Sequence, residues 1–145
     1  MLWQLVVGGV VSIANIIIHA LVTTAAVAVA RGAADKSMSS SSLLLIAVMI
    51  PTVSVFMATH CVEVFVWALA YRMVDAAPEG TNLVYFAFVN YTTLGYGDLI
   101  PVDRWRLLGP ITAMNGVLLF GWSTAVIFEV LRGTLSRPEI GNEHY

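Results

Sequence analysis

Three long apolar stretches constrain this chain more than any other feature of its sequence. They cover residues 1–30, 43–71 and 107–131. A helix needs about 20 residues to cross the hydrocarbon core of a bilayer, so each stretch is long enough to span it. The composition agrees, because 59% of the 145 residues are hydrophobic and only 11% are charged. The sequence therefore predicts an all-α transmembrane protein with three spanning helices.

The charged residues and the single cysteine argue against several other classes of protein. Seven basic and nine acidic residues are scattered along the chain and give a net charge of -2, so nucleic acid is not an expected partner. Cys61 has no second cysteine with which to form an intrachain disulfide. The first stretch could be a secretory signal, because its last three residues, 28–30, are typical of a cleavage site. It has no basic residue before Arg31, however, so we expect it to be retained as a span.

Two connections and a tail complete the predicted organisation. Residues 31–42 form a short polar linker, and residues 133–145 form a short tail. Residues 72–106 are polar at both ends, but their middle, LVYFAFVNY, is too apolar for an ordinary loop. We interpret this middle as a re-entrant helix over residues 82–92, about 15 Å long and capped by Thr81.

The segment after that short helix is expected to line a path through the membrane. Non-helical backbone at membrane depth is tolerated only where it is buried in protein or lines a water-filled cavity. If consecutive carbonyls are to point at one axis, the backbone must alternate into positive φ, which glycine adopts without steric penalty. Gly95 and Gly97 allow this alternation. Such carbonyls, with the Thr93 hydroxyl, can replace the hydration shell of K⁺ when four copies surround one axis.

The same segment resembles a known family. The run TLGYGD at residues 93–98 is similar to the selectivity filter of the potassium channel pore family, Thr-(Val/Ile/Leu)-Gly-Tyr-Gly-Asp. The similarity covers residues 43–132 and leaves the first span outside it. It implies that Tyr96 braces the filter from behind and that Thr92 and Asp98 belong to its mouth and support. The ion-binding segment that it implies consists of Thr93, Leu94, Gly95, Tyr96 and Gly97, with K⁺ held at Thr93, Leu94, Gly95 and Tyr96.

The resemblance also implies an assembly, a function and a location. One chain would supply a quarter of each carbonyl ring, so we expect a four-fold homotetramer that conducts K⁺ passively and selectively. The expected partners are K⁺, membrane lipids and further copies of the chain, and no cofactor is implied besides the transported K⁺. The family's orientation places the N-terminus outside and the linker and tail in the cytoplasm, in the plasma or inner membrane. A non-conducting regulatory or assembly subunit is the alternative, although the complete filter argues against it.

Two departures from the family pattern concern the filter. Leu94 stands where valine is commoner, and we expect selectivity to survive because the ion contacts the carbonyl. The short helix also lacks the carboxylate with which some members hold the outer end of the filter. If the filter has such a support, it must come from another element.

Glu63 and His60 are the candidates for that support. They lie three residues apart in the second span, with Trp67 four residues further on the same face, and Glu63 is about 30 Å along this helix. An ionisable group inside a membrane is a functional candidate, so we hypothesise that Glu63 supports the filter with His60 as its neighbour. The alternatives are a pair that only fastens helices and a proton-sensing gate. Further partners considered for Glu63 are Tyr91, Asn90 and Asn15.

Gating is assigned to the pore itself, because no span carries the regularly spaced arginines of a voltage sensor. Gly116 and Gly121 in the third span are candidate hinges, or else they allow close helix packing. A series at helical spacing could face the conduction path: Leu118, Gly121, Ala125 and Glu129. A ring of Glu129 side chains would concentrate cations at the inner mouth, whereas the alternative is a solvated carboxylate at a helix end.

The first span carries a polar stripe. Ser12, Asn15, His19 and Thr23 recur every three or four residues, which predicts that one face of this peripheral span packs against the second span. The polar residues also allow a rival hypothesis, a membrane metalloprotein. Its ligands would be His19, His60, Cys61 and Glu63. Adjacent side chains on a helix point about 100° apart, so His60 and Cys61 disfavour it.

Overall fold

The computed structural model describes residues 1–34 and 41–136, and within these ranges every regular element is helical. The helices are α1 (Leu2–Ala34), α2 (Ser41–Val74), α3 (Leu83–Tyr91) and α4 (Leu108–Leu135), with a 3₁₀ turn at Asp103–Trp105. By length and hydropathy, α1, α2 and α4 can each cross a membrane. The predicted class, an all-α protein with three spanning helices and one short helix, is therefore confirmed.

The long helices extend beyond the apolar stretches that predict them. At about 1.5 Å per residue, the 33 residues of α1 reach some 50 Å, well beyond a hydrocarbon core of about 30 Å. Hydrogen bonding along a helix does not stop where the side chains become polar, so the apolar pattern underestimates its length. Half of the predicted linker, residues 31–34 and 41–42, and the first residues of the predicted tail are consequently helical, whereas residues 35–40 and 137–145 lie outside the described residues.

The start of α3 corrects one prediction. Asn82, and not Thr81, is the N-cap, because the extended backbone of Asn82 lets its Oδ1 accept hydrogen bonds from the amides of Val84 and Tyr85, both at 3.1 Å. This side chain satisfies two of the amides that have no partner in the first turn of a helix. The helix is otherwise close to the predicted one, since it ends at Tyr91.

The short helix α3 packs between α2 and α4, and α1 packs against both of those helices. Aromatic side chains join α2 to α3: Trp67 and Tyr71 have ring centroids 5.9 Å apart, and Tyr71 and Phe86 have centroids 4.8 Å apart. All three side chains are fully buried. Gly8 of α1 lies so close to α4 that an added Cβ would be 2.8 Å from Ile111. The extra first span is thus an integral part of the packed chain.

Candidate functional site

The end of α3 forms a Schellman motif, which leads directly into the predicted filter. Beyond the C-cap residue Thr92, Thr93 has a φ of 59°, the left-handed conformation in which helices commonly end. The amide of Thr93 donates to the carbonyl of Asn90 at 3.2 Å, and the amide of Leu94 donates to that of Val89 at 3.0 Å. These bonds satisfy two carbonyls at the end of α3, while the helix directs the negative end of its dipole toward this segment.

Positive φ angles recur at every second residue of the segment. They are 59° at Thr93, 57° at Gly95 and 80° at Gly97. The two glycines adopt this conformation without a steric penalty, as the sequence predicts. Thr93 is a third position with positive φ, which its residue type does not predict. This conformation costs a β-branched residue about 1–2 kcal/mol. The hydrogen bonds that end α3 offset this cost. The backbone alternation therefore begins at the helix end and covers the whole run.

A tyrosine of α3 holds the outer end of this segment. The Oη atom of Tyr85 donates to Oδ2 of Asp98 at 2.8 Å. This hydrogen bond raises the pKa of the Tyr85 phenol above its usual value, so the phenol stays protonated and able to donate. The structure thus places a neutral hydrogen-bond donor of α3 at Asp98, although this helix has no carboxylate.

The predicted filter residues lie on the surface of the single chain. Residues 92–98 are all exposed, including Leu94 at 51% and Tyr96 at 71%. The predicted role of Tyr96 behind the filter stays a prediction. The four residues predicted to face the path along α4 are exposed as well: Leu118, Gly121, Ala125 and Glu129. One side of α4 and the filter segment are therefore both free for further contacts.

Behind the end of α3 lies a buried cluster of five polar side chains from all four helices, the Glu63 cluster. It consists of Glu63, His19, His60, Tyr91 and Ser123. Both imidazole Nδ1 atoms lie 2.8 Å from the Glu63 carboxylate, that of His19 at Oε1 and that of His60 at Oε2. Tyr91 donates its phenol hydrogen to Oε2, and Glu63, His19 and Tyr91 are fully buried. The predicted neighbour His60 and partner Tyr91 are present, and His19 is an additional partner.

Two further predicted partners of Glu63 bond elsewhere. Asn15 reaches only the backbone carbonyl of Glu63, at 3.3 Å, and also donates to Asn115 Oδ1 at 3.1 Å. Asn90 bonds the carbonyl of Phe86 in its own helix at 2.8 Å. Trp67, which shares the face of Glu63, donates to Asn115 Oδ1 at 3.0 Å. The two bonds to Asn115 link α1 and α2 to α4 next to the cluster.

The polar stripe of α1 faces protein, but it contacts α4 as well as α2. Asn15 and His19 are fully buried and bond residues on both helices. The hydroxyls of Ser12 and Thr23 are buried without a hydrogen-bond partner among the described residues. Nearer the start of α1, Gln4 accepts a hydrogen bond at 2.8 Å from the amide of Leu107, just before α4 begins. The prediction that the first span packs against the second was therefore incomplete, because α1 also packs against α4.

The two candidate hinge glycines have different surroundings. An added Cβ at Gly116 would lie 2.0 Å from the carbonyl oxygen of Tyr91, whereas at Gly121 it would meet nothing within 4 Å. Gly116 thus allows α4 to approach the end of α3 closely. Glu129 is exposed and pairs with Arg132, one turn away, at 3.3 Å. Its predicted place in an inner ring stays a prediction.

The four-ligand metal hypothesis does not fit the geometry. Ligand atoms of His19, His60 and Glu63 lie within 4.8 Å of one another. Cys61 does not join them, because it lines a shallow apolar groove with residues such as Met57. In the cluster, each oxygen of Glu63 is already bonded to an imidazole nitrogen.

Several functional residues were missed from the sequence. Tyr85 and Asp98 meet only because the segment folds back along α3, and no spacing indicates that contact. The polar face of α4 does carry a signal: Thr112, Asn115 and Ser123 recur at helical spacing. Each bonds a residue of another helix, with Tyr71 Oη 2.6 Å from Thr112 Oγ1.

Comparison with known proteins adds one match. A family model described as an ion channel matches residues 59–133, which is more than half of the chain. The match begins in α2, contains α3 and the filter segment, and ends in α4, while α1 lies outside it. No curated protein and no solved structure matches the chain.

Proposed function

Because the chain belongs to the ion channel family, we propose that it conducts K⁺ passively and selectively across a membrane through a pore shared by four copies. One observation carries this proposal: φ is positive at Thr93, Gly95 and Gly97, in a run at the end of a short helix. Alternation of this kind lets consecutive carbonyls face one side. Rings of carbonyl oxygens that replace the hydration shell are the basis of K⁺ selectivity in channels.

The position of the segment on the surface of the chain supports the homotetramer that we propose. Each chain has one such segment, and its residues 92–98 are exposed. A single chain cannot surround an ion, whereas four copies about one axis place their carbonyls on all sides of it. Closed cyclic symmetry is the usual arrangement for identical subunits. The exposed side of α4 then faces the same axis below the filter.

The three spanning helices make the protein an integral membrane protein. The location that we propose is the plasma or inner membrane, with the filter near the external face. In this orientation α1 begins outside and α4 ends in the cytoplasm. The contact between Tyr85, in the first turn of α3, and Asp98, at the end of the filter, supports entry and exit of this segment on one side of the membrane.

The test is a flux measurement on the purified full chain in liposomes. With K⁺ on one side and Na⁺ on the other, we expect a reversal potential close to that of a K⁺ electrode. Tyr96→Asp should erode this selectivity, whereas the matched variant Leu94→Val should retain it, because it restores the commoner residue and leaves the carbonyl in place. A reversal potential near zero for the unmodified protein would contradict K⁺ selectivity. A stable dimer as the largest species after cross-linking would contradict the tetramer.

A further inference from the structure

The Glu63 cluster contains more hydrogen-bonding contacts than its ordinary hydrogens can fill. Glu63 makes three contacts, to Nδ1 of His19, to Nδ1 of His60 and to the Tyr91 hydroxyl. Ser123 Oγ makes two more, to Nε2 of His60 at 2.9 Å and to Nε2 of His19 at 3.2 Å. Each of these five contacts needs one hydrogen between its two heavy atoms. A sixth contact, between His60 Nδ1 and the Tyr91 hydroxyl at 3.0 Å, can share a hydrogen with its neighbours.

An ionised Glu63 and two neutral imidazoles supply one hydrogen too few. Each neutral imidazole carries one hydrogen on nitrogen, and the hydroxyls of Tyr91 and Ser123 carry one each, while a carboxylate carries none. These four hydrogens leave one of the five contacts as two facing lone pairs. One additional proton completes the set. The count is the same whether that proton is on an imidazole, with Glu63 ionised, or on Glu63, with both imidazoles neutral.

The electrical balance of the cluster requires the same proton. With the additional proton the cluster has no net charge, and without it the cluster carries one negative charge. The titratable groups that face the cluster are His19 from α1, His60 and Glu63 from α2, and Tyr91 from α3, whereas α4 faces it with the neutral Ser123. A net charge that is fully buried among apolar helices is costly, and the neutral state avoids it.

The walls of the cluster are aromatic and provide no other charge. Phe56 and Trp122 lie against the His19 ring, with centroids at 5.6 and 5.4 Å, and Phe120 lies 4.5 Å from the His60 ring. Ser123 and the His60 side chain are only 5% and 12% exposed. Water therefore has little access with which to replace a missing hydrogen.

We propose that His19, His60 and Glu63 bind one proton in common, and that this shared proton fastens α4 to α1 and α2 behind the end of α3. Loss of the proton leaves an unfilled contact at Ser123 of α4 and a buried negative charge on the carboxylate that Tyr91 contacts. Tyr91 is the last residue of α3, directly before the filter segment. The support of the filter should therefore be lost above the pH at which the cluster releases its proton, a consequence that rests on the proposed function.

A divalent metal ion is a poorer occupant than a proton. An ion between the two Nε2 atoms would leave Glu63 as the one compensating charge, so the buried cluster would be net positive. It would also have to displace the Ser123 hydroxyl, which lies between these nitrogens at hydrogen-bonding distance from both. The proton satisfies the observed distances as they stand.

The proton can be counted directly by nuclear magnetic resonance. The full chain with His144→Gln leaves His19 and His60 as its two histidines, and ¹⁵N shifts in lipid bilayers show which ring nitrogens carry hydrogen. The ¹³C shift of the Glu63 carboxyl, assigned by its proximity to the labelled rings, shows whether it is an acid. At pH 7 we expect three hydrogens in total on the four ring nitrogens and the carboxyl. A total of two overturns the proposal.

Two substitutions at Ser123 give a matched comparison. Ser123→Ala removes two contacts and one hydrogen, so the three remaining contacts are complete without the additional proton. We expect this variant to release the proton at lower pH. Its proton binding should be about tenfold weaker, a factor that corresponds to the free energy of one hydrogen bond. Ser123→Thr keeps the hydroxyl and should titrate like the parent chain. Proton release at the same pH in the alanine and threonine variants overturns the proposal.

Two further measurements distinguish the shared proton from a bound metal ion and test the proton proposal separately from the proposed channel function. Elemental analysis that finds one metal ion per chain, with both Nε2 resonances shifted by coordination, overturns the shared proton. K⁺ flux is then measured across the pH at which the counted proton is lost, and we expect it to fall there. If the chain conducts nothing at any pH, the proposed function fails, whereas the proton count is unaffected.

Discussion

Replacement of Gly116 by alanine tests how closely α4 must approach the end of α3. The added Cβ would lie 2.0 Å from the carbonyl oxygen and 3.0 Å from the carbonyl carbon of Tyr91. Ordinary van der Waals contact begins at 3.4 Å, so the two helices would have to separate by more than about 1 Å. The obstacle is backbone at the last residue of α3, and no side-chain rotation relieves it.

The expected cost follows from two opposing effects. Insertion of a methyl group into a packed contact costs about 1–3 kcal/mol, and the upper value applies because backbone must move. Alanine in a helix interior gains about 1 kcal/mol over glycine. The net loss for Gly116→Ala is therefore about 2 kcal/mol per chain, which corresponds to a roughly 30-fold smaller ratio of folded to unfolded protein.

Gly121→Ala is the matched control, because its Cβ would meet nothing within 4 Å in the chain. Thermal loss of the oligomer, followed by size-exclusion chromatography in detergent, compares the two variants. We expect Gly116→Ala to dissociate at lower temperature and to lose K⁺ flux, and Gly121→Ala to be at least as stable as the parent chain. Equal stability of all three proteins would refute the packing argument. An equal loss of stability in both variants would instead indicate that flexibility of α4, or contact with another chain, determines the stability of the oligomer.

Three further predictions concern other parts of the chain. Tyr85→Phe removes the exposed hydrogen bond to Asp98 and should speed the decline of K⁺ current during sustained opening, with little change in stability; an unchanged time course would contradict this role. Asn82→Ala should lower the stability of the folded chain by about 1 kcal/mol in thermal unfolding, whereas Thr81→Ala should not, and equal effects would mean that Asn82 is not the cap. Deletion of residues 1–34 should reduce yield and oligomer stability while selectivity is kept, because buried polar groups of α2 and α4 lose their partners; a truncated protein with normal yield would count against this.

The parts of the site that sequence can predict are those determined by local backbone. Gly95 and Gly97 indicate positive φ at their own positions, so the filter segment is readable from a few residues. The polar stripe of α1 is also local, because helical spacing alone places Asn15 and His19 on one face. Sequence could not decide which helices that stripe contacts, since its partner on α4 lies about a hundred residues away.

Other features depend on choices that only packing resolves. Thr81 and Asn82 are both suitable caps, and a difference of one residue is decided by where the backbone becomes helical. Gly116 and Gly121 are equivalent in the sequence, yet an added Cβ would clash with the end of α3 at Gly116 and would meet no described atom within 4 Å at Gly121. Glu63 is recognisable as a buried ionisable residue, but two of its partners, His19 and Tyr91, are supplied by α1 and α3, whose packing around α2 the sequence does not show.

The long chain separation within the Glu63 cluster has a consequence for biosynthesis. His19 finds its partners 44 residues later on α2 and 104 residues later on α4, and Asn15 meets Asn115 after 100 residues. A nascent chain therefore inserts α1 before most of these partners have been translated. Until α4 enters the bilayer, the polar side chains of the first span face lipid or transient neighbours. A product that ends before α4 keeps this exposed polar face, by which quality-control factors in the membrane can distinguish an unfinished chain from a finished one.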